Sequence, residues 1–101
     1  VLETDPDVAR EIARRALAVY VTLPNYVNNW KRLGFTDQDV EPLSDRLVDA
    51  LVAWGDVDAV ADRVQAHRDA GADHVCVQLI AAPGSRVARD DWRKLAPAVV
   101  A

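Results

Sequence analysis

Cysteine is almost absent from this chain of 101 residues, in which Cys76 is the only one. A single cysteine excludes an internal disulfide framework. Such frameworks are typical of secreted proteins, so the cytoplasm is the simplest compartment to expect. Long apolar runs are absent too, since none approaches the roughly 20 residues that a membrane-spanning helix requires. The sequence therefore predicts a cytoplasmic protein without a membrane span.

The chain also lacks a basic stripe. It carries 12 lysines and arginines against 16 aspartates and glutamates, with the two signs interspersed. Nucleic acids and anionic membranes bind basic surfaces, so neither is an expected partner. The two histidines and the one cysteine do not have the spacing of metal ligands, and we expect no metal site. Hydrophobic residues make up 50% of the chain, which is the composition of a globular domain.

Helical periodicity dominates the first third of the chain. Asp5 is placed to cap a helix whose first position is Pro6, since proline is favoured there and aspartate accepts hydrogen bonds from free N–H groups. Pro24 should end this helix or start another. The second helix is expected to run to Leu33, with Gly34 as its C-terminal cap.

Three more helices are predicted further along. Ser44 and Asp56 each precede a run of apolar residues at helical spacing, so each predicts a helix start. The second of these helices should end at Gly71. A closing helix is expected over about residues 90–101, where Pro97 should kink or split it.

One segment has a different period. Residues 74–80 are short, rich in β-branched side chains and almost continuously apolar. This composition is typical of a parallel strand that is covered on both faces. We expect a buried strand at about residues 73–80, followed by a turn at residues 82–85.

This expected strand decides the predicted architecture. A buried strand without neighbours leaves its backbone N–H and C=O groups unbonded, which is rare. Val1 and Leu2 can supply one neighbour at most, so other strands must come from elsewhere. Two folds contain a helix followed directly by a parallel strand: the (β/α)8 barrel and the open doubly wound sheet. We expect the α/β barrel, with residues 1–101 as the mostly helical C-terminal segment of a single (β/α)8 TIM-barrel domain.

Three segments resemble the luciferase-like, coenzyme F420-dependent oxidoreductases. They are LPNYVNNWKRLGF at residues 23–35, SDRLVDALVAWG at residues 44–55 and AGADHVCVQ at residues 70–78. The segments follow the family's order, and the similarity covers nearly the whole chain. The first segment is the most distinctive, because an Ala-Gly-Ala-Asp turn before an apolar strand is found in many barrels.

The resemblance implies a barrel in which Val1 and Leu2 end strand seven, residues 73–80 form strand eight and residues 90–101 form the closing helix. It also implies hydride transfer between the deazaflavin coenzyme F420 and an organic substrate. The alternative within the family is a luciferase-like monooxygenase that uses reduced flavin mononucleotide (FMN). Residues 41–43, Glu-Pro-Leu, stand where the family's pattern usually has glycines. The resemblance therefore does not extend to the conformation of that loop.

Four residues are candidates to face a substrate or cofactor. Gln78 is the one uncharged amide in the expected strand and would lie near the barrel mouth, where such enzymes have their active sites. Tyr26, Asn29 and Trp30 combine aromatic and amide groups on one helix, as pockets for organic ligands do. Each candidate has an alternative to ligand contact. Gln78 could instead bond to the neighbouring backbone, and the helix could instead pack Tyr26 and Trp30 against the rest of the barrel.

The sequence identifies no catalytic residue, since the groups for hydride transfer are expected upstream of Val1. His67 should be packed or reach to solvent, and His74 and the buried Cys76 should be structural. A function of another class stays open. It is a free-standing helical interaction module without catalysis, in which residues 74–80 would pair in a homodimer or against a partner.

Overall fold

The computed structural model describes residues 1–81 and 89–99. Within these residues the secondary structure is helical, and the only β feature is an isolated parallel bridge between Leu2 and Gly55. The helices are α1 (Pro6–Val21), α2 (Pro24–Arg32), α3 (Asp37–Val40), α4 (Asp45–Leu51), α5 (Val57–Asp69) and α6 (Arg89–Val99).

Capping residues start the main helices where the sequence predicts. The side chains of Asp5, Ser44 and Asp56 each accept a hydrogen bond from a backbone N–H of the first turn that follows. These bonds satisfy N–H groups that have no partner within a helix. Pro24 occupies the first turn of α2, where its missing N–H costs nothing. All four predicted starts are confirmed.

Gly55 is required where α4 gives way to α5. Its φ of 133° is one that residues with a Cβ rarely adopt. A Cβ added at this position would lie 2.9 Å from the Cβ of Ala59. The Gly55 N–H donates to the carbonyl of Val1 over 3.2 Å. This bond forms the parallel bridge and brings the first residues of the chain beside the residues that follow α4.

The apolar core consists of three clusters. In the first, α1 packs against α4 and the residues around it, and in the second, α5 packs against α6. The third joins α2, α3 and α4. The buried residues of the first are Val1, Ala9, Ile12, Ala13, Leu17, Val48 and Val52; of the second, Val60, Val64, Leu95 and Val99; of the third, Trp30, Val40 and Leu47.

A polar network, which we call the Asp49 network, crosses the first cluster. Arg10 on α1 donates to both carboxylate oxygens of Asp49 on α4, over 3.0 and 2.8 Å. The indole Nε1–H of Trp54 donates to the same carboxylate over 2.8 Å. The Arg10 guanidinium also lies 5.2 Å from the centre of the Trp54 ring, within the range of a cation–π contact. The network joins α1, α4 and the residues after α4.

The predicted barrel segment is wrong. Residues 74–80 form no strand, and the described part of the chain contains no sheet. Exposure alternates over residues 75–78: Val75 and Val77 are partly buried, whereas Cys76 and Gln78 are exposed. A period of two is that of an extended backbone. The alternation ends at Ile80, which is partly buried and packs against the first cluster. A strand buried on both faces needs neighbouring strands, and the described residues supply none, so the segment lies on the α5–α6 cluster instead.

The closing helix is described over Arg89–Val99, in agreement with the predicted start at about residue 90. The helix continues through Pro97 without being split. The turn predicted at residues 82–85 and the helix end predicted at residues 100–101 lie outside the described residues. Neither α6 nor any other described helix is both long and apolar enough to cross a membrane.

Leu47 offers a test of the packing. Its side chain is fully buried between α2, α3 and α4. The substitution Leu47→Ala should lower the free energy of unfolding by about 2–5 kcal/mol, because it leaves a cavity. Leu33 is 64% exposed, and Leu33→Ala should change stability by no more than about 0.5 kcal/mol. Urea unfolding followed by circular dichroism measures both, and equal effects would contradict the packing described here.

Candidate ligand cleft

A cleft of about 440 Å³ separates two parts of the molecule. One wall consists of α1 and the end of α4, and the other consists of α5 and residues 75–80. Volumes of about 300–1,000 Å³ are usual for small-molecule sites. Most of the lining is apolar; the larger apolar side chains include Leu17, Leu51, Val52, Val64, Val77 and Leu79.

The polar groups around the cleft are few and carry no negative charge. They are the side chains of Tyr20, Arg63, His67, Cys76 and Gln78, and no aspartate or glutamate borders the cleft among the residues described. This is a local departure from a chain whose net charge is −4. An apolar ligand with hydrogen-bond acceptors therefore fits the lining better than a cation does.

Arg63 is fixed by the end of α4. Its Nη2 donates to the carbonyl of Asp49 over 2.7 Å, and its Nη1 donates to the carbonyl of Ala50 over 3.3 Å. Carbonyl groups in the last turn of a helix have no partner within it and favour a positive charge. The guanidinium forms no ion pair with a carboxylate in the described part of the chain. Arg63 thus joins the two walls of the cleft.

The structure separates the predicted site residues. Gln78 lines the cleft from the extended segment. Tyr26 and Asn29 are exposed on α2, where the Tyr26 ring meets the Tyr20 ring edge-on with 4.7 Å between centres. Trp30 is only 4% exposed and belongs to the third apolar cluster. Ligand contact by all four residues stays a prediction, but only Gln78 borders this cleft.

The cysteine side chain lies differently from what the pattern predicts, whereas His67 reaches solvent, which is one of its two predicted positions. Cys76 is exposed, which corrects its predicted burial inside a strand. His67 is exposed at the edge of the cleft, and His74 is exposed at the start of the extended segment. Over residues 1–81 and 89–99, no three histidine, cysteine, aspartate or glutamate side chains come together as a metal site would require.

Among the residues that the structure describes, Asp39 is the one buried charged residue, at 8% exposure. Its carboxylate accepts the N–H of Thr36 over 2.9 Å and the hydroxyl of Ser44 over 2.8 Å. These two bonds, followed by the charge of Arg46 at 3.2 Å, lower the pKa of Asp39 below its usual 3.8. The residue connects the capping box of α3 to the start of α4, so its role is structural.

The Asp49 network has its own electrostatics. Hydrogen bonds from Arg10 and then from Trp54 lower the pKa of the Asp49 carboxyl, against the opposing effect of burial. The same pairing raises the pKa of the Arg10 guanidinium. Both groups therefore stay charged at neutral pH, which keeps α1 held against α4.

Comparison with protein families, with curated proteins and with solved structures returned no match to this chain. The cleft is thus interpreted from its own residues. Sequence reasoning missed Arg63 and Tyr20 as lining residues. Arg63 lies three positions after Val60, which places the two residues on the same side of a helix, but the sequence does not show that this side meets α4.

The Asp39 contacts predict an acid dependence of stability. Because its pKa is lower in the folded protein, Asp39 contributes stability that is fully present above the unfolded value of 3.8 and is lost as pH falls through the folded pKa. Asp39→Asn should destabilise the protein at pH 7, and the two proteins should converge at lower pH. Urea midpoints across this range measure it, with the exposed Asp37→Asn as control. A constant difference down to pH 2 would contradict the assignment.

Proposed function

We propose that this chain forms part of a luciferase-like oxidoreductase that transfers a hydride between coenzyme F420 and an organic substrate. The resemblance of residues 23–35, 44–55 and 70–78 to that family is the first support. The cleft is the second, and it is the observation that carries the proposal because it offers an apolar site beside a polar amide. When bound, the coenzyme supplies the redox chemistry.

The positions of the three segments agree with such a role. Residues 44–55 supply part of one cleft wall, and residues 70–78 supply part of the other. Residues 23–35 do not border the cleft, but they support its first wall through the packing of Trp30 against Leu47. Two of the three segments therefore contribute lining residues, together with α1 and α5, and the third packs behind the first wall.

The chemistry of the cleft fits a planar heterocycle. Apolar side chains of both walls suit the faces of a deazaflavin ring or an organic substrate. The amide of Gln78 donates and accepts hydrogen bonds, so it can pair with the carbonyl and N–H groups at a ring edge. Arg63 places a positive charge at the cleft, where it can attract the hydrogen-bond acceptor atoms of a bound ring. We assign these residues to binding and orientation, and we propose that the catalytic groups lie outside residues 1–101.

Reduced FMN is the alternative cofactor, since the same cleft chemistry suits a flavin ring. The enzyme would then be a luciferase-like monooxygenase. Substrate, reaction direction and the choice of cofactor depend on residues beyond this cleft wall. We also propose a cytoplasmic location, on the basis of the single cysteine.

A second candidate function is a free-standing helical interaction module. The observation in its favour is that the described helices pack into three apolar clusters without a sheet. Cooperative thermal unfolding of the isolated chain, with sharp near-ultraviolet circular dichroism, would support this candidate. A non-cooperative transition with native helix content would support the larger enzyme.

Gln78 provides the test of the cofactor proposal. In the whole enzyme, Gln78→Ala should weaken binding of F420 or FMN by roughly 2- to 10-fold, because it removes one or two hydrogen bonds of ordinary strength. Gln65→Ala is the matched control, since Gln65 is exposed on α5 and bonds to Asp69. Fluorescence titration with each cofactor measures the change. Equal affinities in both variants, or tight binding by residues 1–101 alone, would contradict the proposal.

A further inference from the structure

The backbone of residues 73–81 is unpaired within the described part of the chain. No hydrogen bond joins their N–H or C=O groups to any other described residue. Side chains do not supply the missing bonds either. The alternating exposure of residues 75–78 indicates an extended backbone, and unbonded N–H and C=O groups on an extended segment can template pairing with another strand.

Apart from Asp73 at its first position, the segment lacks the usual features that prevent such pairing. Natural edges are protected by lysine or other charges, by proline or by bulges. Residues 74–81, HVCVQLIA, contain no charged residue, no proline and no glycine. Valine and isoleucine, which favour strands, occupy three of these positions. In an antiparallel pair centred on Val77, Asp73 of one copy would lie opposite Ala81 of the other, so no like charges would face each other.

The two faces of the segment are also self-compatible. Val75, Val77 and Leu79 pack on the α5–α6 cluster but are only partly covered, whereas Cys76 and Gln78 are exposed. In an antiparallel pair centred on Val77, Val75 would lie opposite Leu79 of the second copy, and Cys76 opposite its Gln78. Apolar side chains thus meet apolar ones across the axis on the inner face, and on the other face Cys76 meets Gln78 while Ile80 lies opposite His74.

We propose that residues 73–81 pair with the same residues of a second copy of this chain, antiparallel and about a two-fold axis at Val77. The pairing gives hydrogen-bond partners to N–H and C=O groups that have none among the described residues. It also covers more of the apolar face formed by Val75, Val77 and Leu79. A two-fold axis closes the assembly at two copies. The inference stands on the edge alone and does not rest on the oxidoreductase proposal.

Sedimentation velocity over a concentration series tests the dimer. With Cys76 and Gln78 as a hydrogen-bonded pair across the axis, Cys76→Pro should weaken dimerisation at least about tenfold, because proline removes the N–H that residue 76 donates to the second copy. Cys76→Ser keeps the donor and should dimerise like the natural chain. Cys76 is exposed, so neither change removes a core contact, and circular dichroism verifies that the helices persist. A monomer at every concentration, or growth beyond two copies, would overturn the proposal, as would equal dimerisation of the two variants.

The register has an independent test. In the Gln78→Cys variant, the new thiol would lie opposite Cys76 of the second copy. Diamide, a two-electron oxidant, should then join the chains, with each pair of thiols losing two protons and two electrons. Gln65→Cys also adds an exposed thiol, but on α5, and should give little covalent dimer. Equal cross-linking of both variants would show that the register is wrong.

Discussion

The contact between α1 and α4 is the constraint on which the other parts of this structure depend. Ile12 and Leu17 on α1 pack against Val48 and Val52, while the carboxylate of Asp49 bonds to Arg10 across the same interface. Because Trp54 donates to that carboxylate too, the residues after α4 are fixed along with the helix. Their position allows the N–H of Gly55 to reach the carbonyl of Val1. One interface therefore places α4, the parallel bridge and one wall of the cleft, and burial and charge act together in it.

The starts of the helices could be predicted from the sequence because their causes are local. A cap such as Asp5 or Asp56 bonds to N–H groups within its own first turn, so the pattern that predicts the helix also contains the partner. The predicted strand failed for the opposite reason. The apolar composition of residues 74–80 is compatible with a strand, but a strand exists only when another segment supplies the hydrogen bonds. The described residues leave this segment extended, with one face on α5 and α6.

The cleft shows the same division between local and distant causes. Gln78 could be identified because it is a lone amide in an apolar run, and it does border the cleft. Arg63 could not, because its position depends on the carbonyl groups of Asp49 and Ala50 at the end of another helix. Trp30 illustrates an ambiguity that composition cannot resolve. An aromatic side chain suits both a ligand pocket and a core, and burial at 4% exposure assigns this one to the core.

Residues 75–80 are both a wall of the cleft and part of an unpaired edge, so binding and pairing must influence each other. A second copy that bonds to the edge would reduce the freedom of Val77 and Gln78, and a ligand in the cleft would then lose less conformational entropy on binding. If instead the second copy covered the cleft, the ligand would compete with it. Linkage requires the effect to be reciprocal: a ligand that binds the dimer more tightly must strengthen the dimer by the same factor. The sign of that coupling therefore reports whether the pairing edge faces away from the cleft or across its opening.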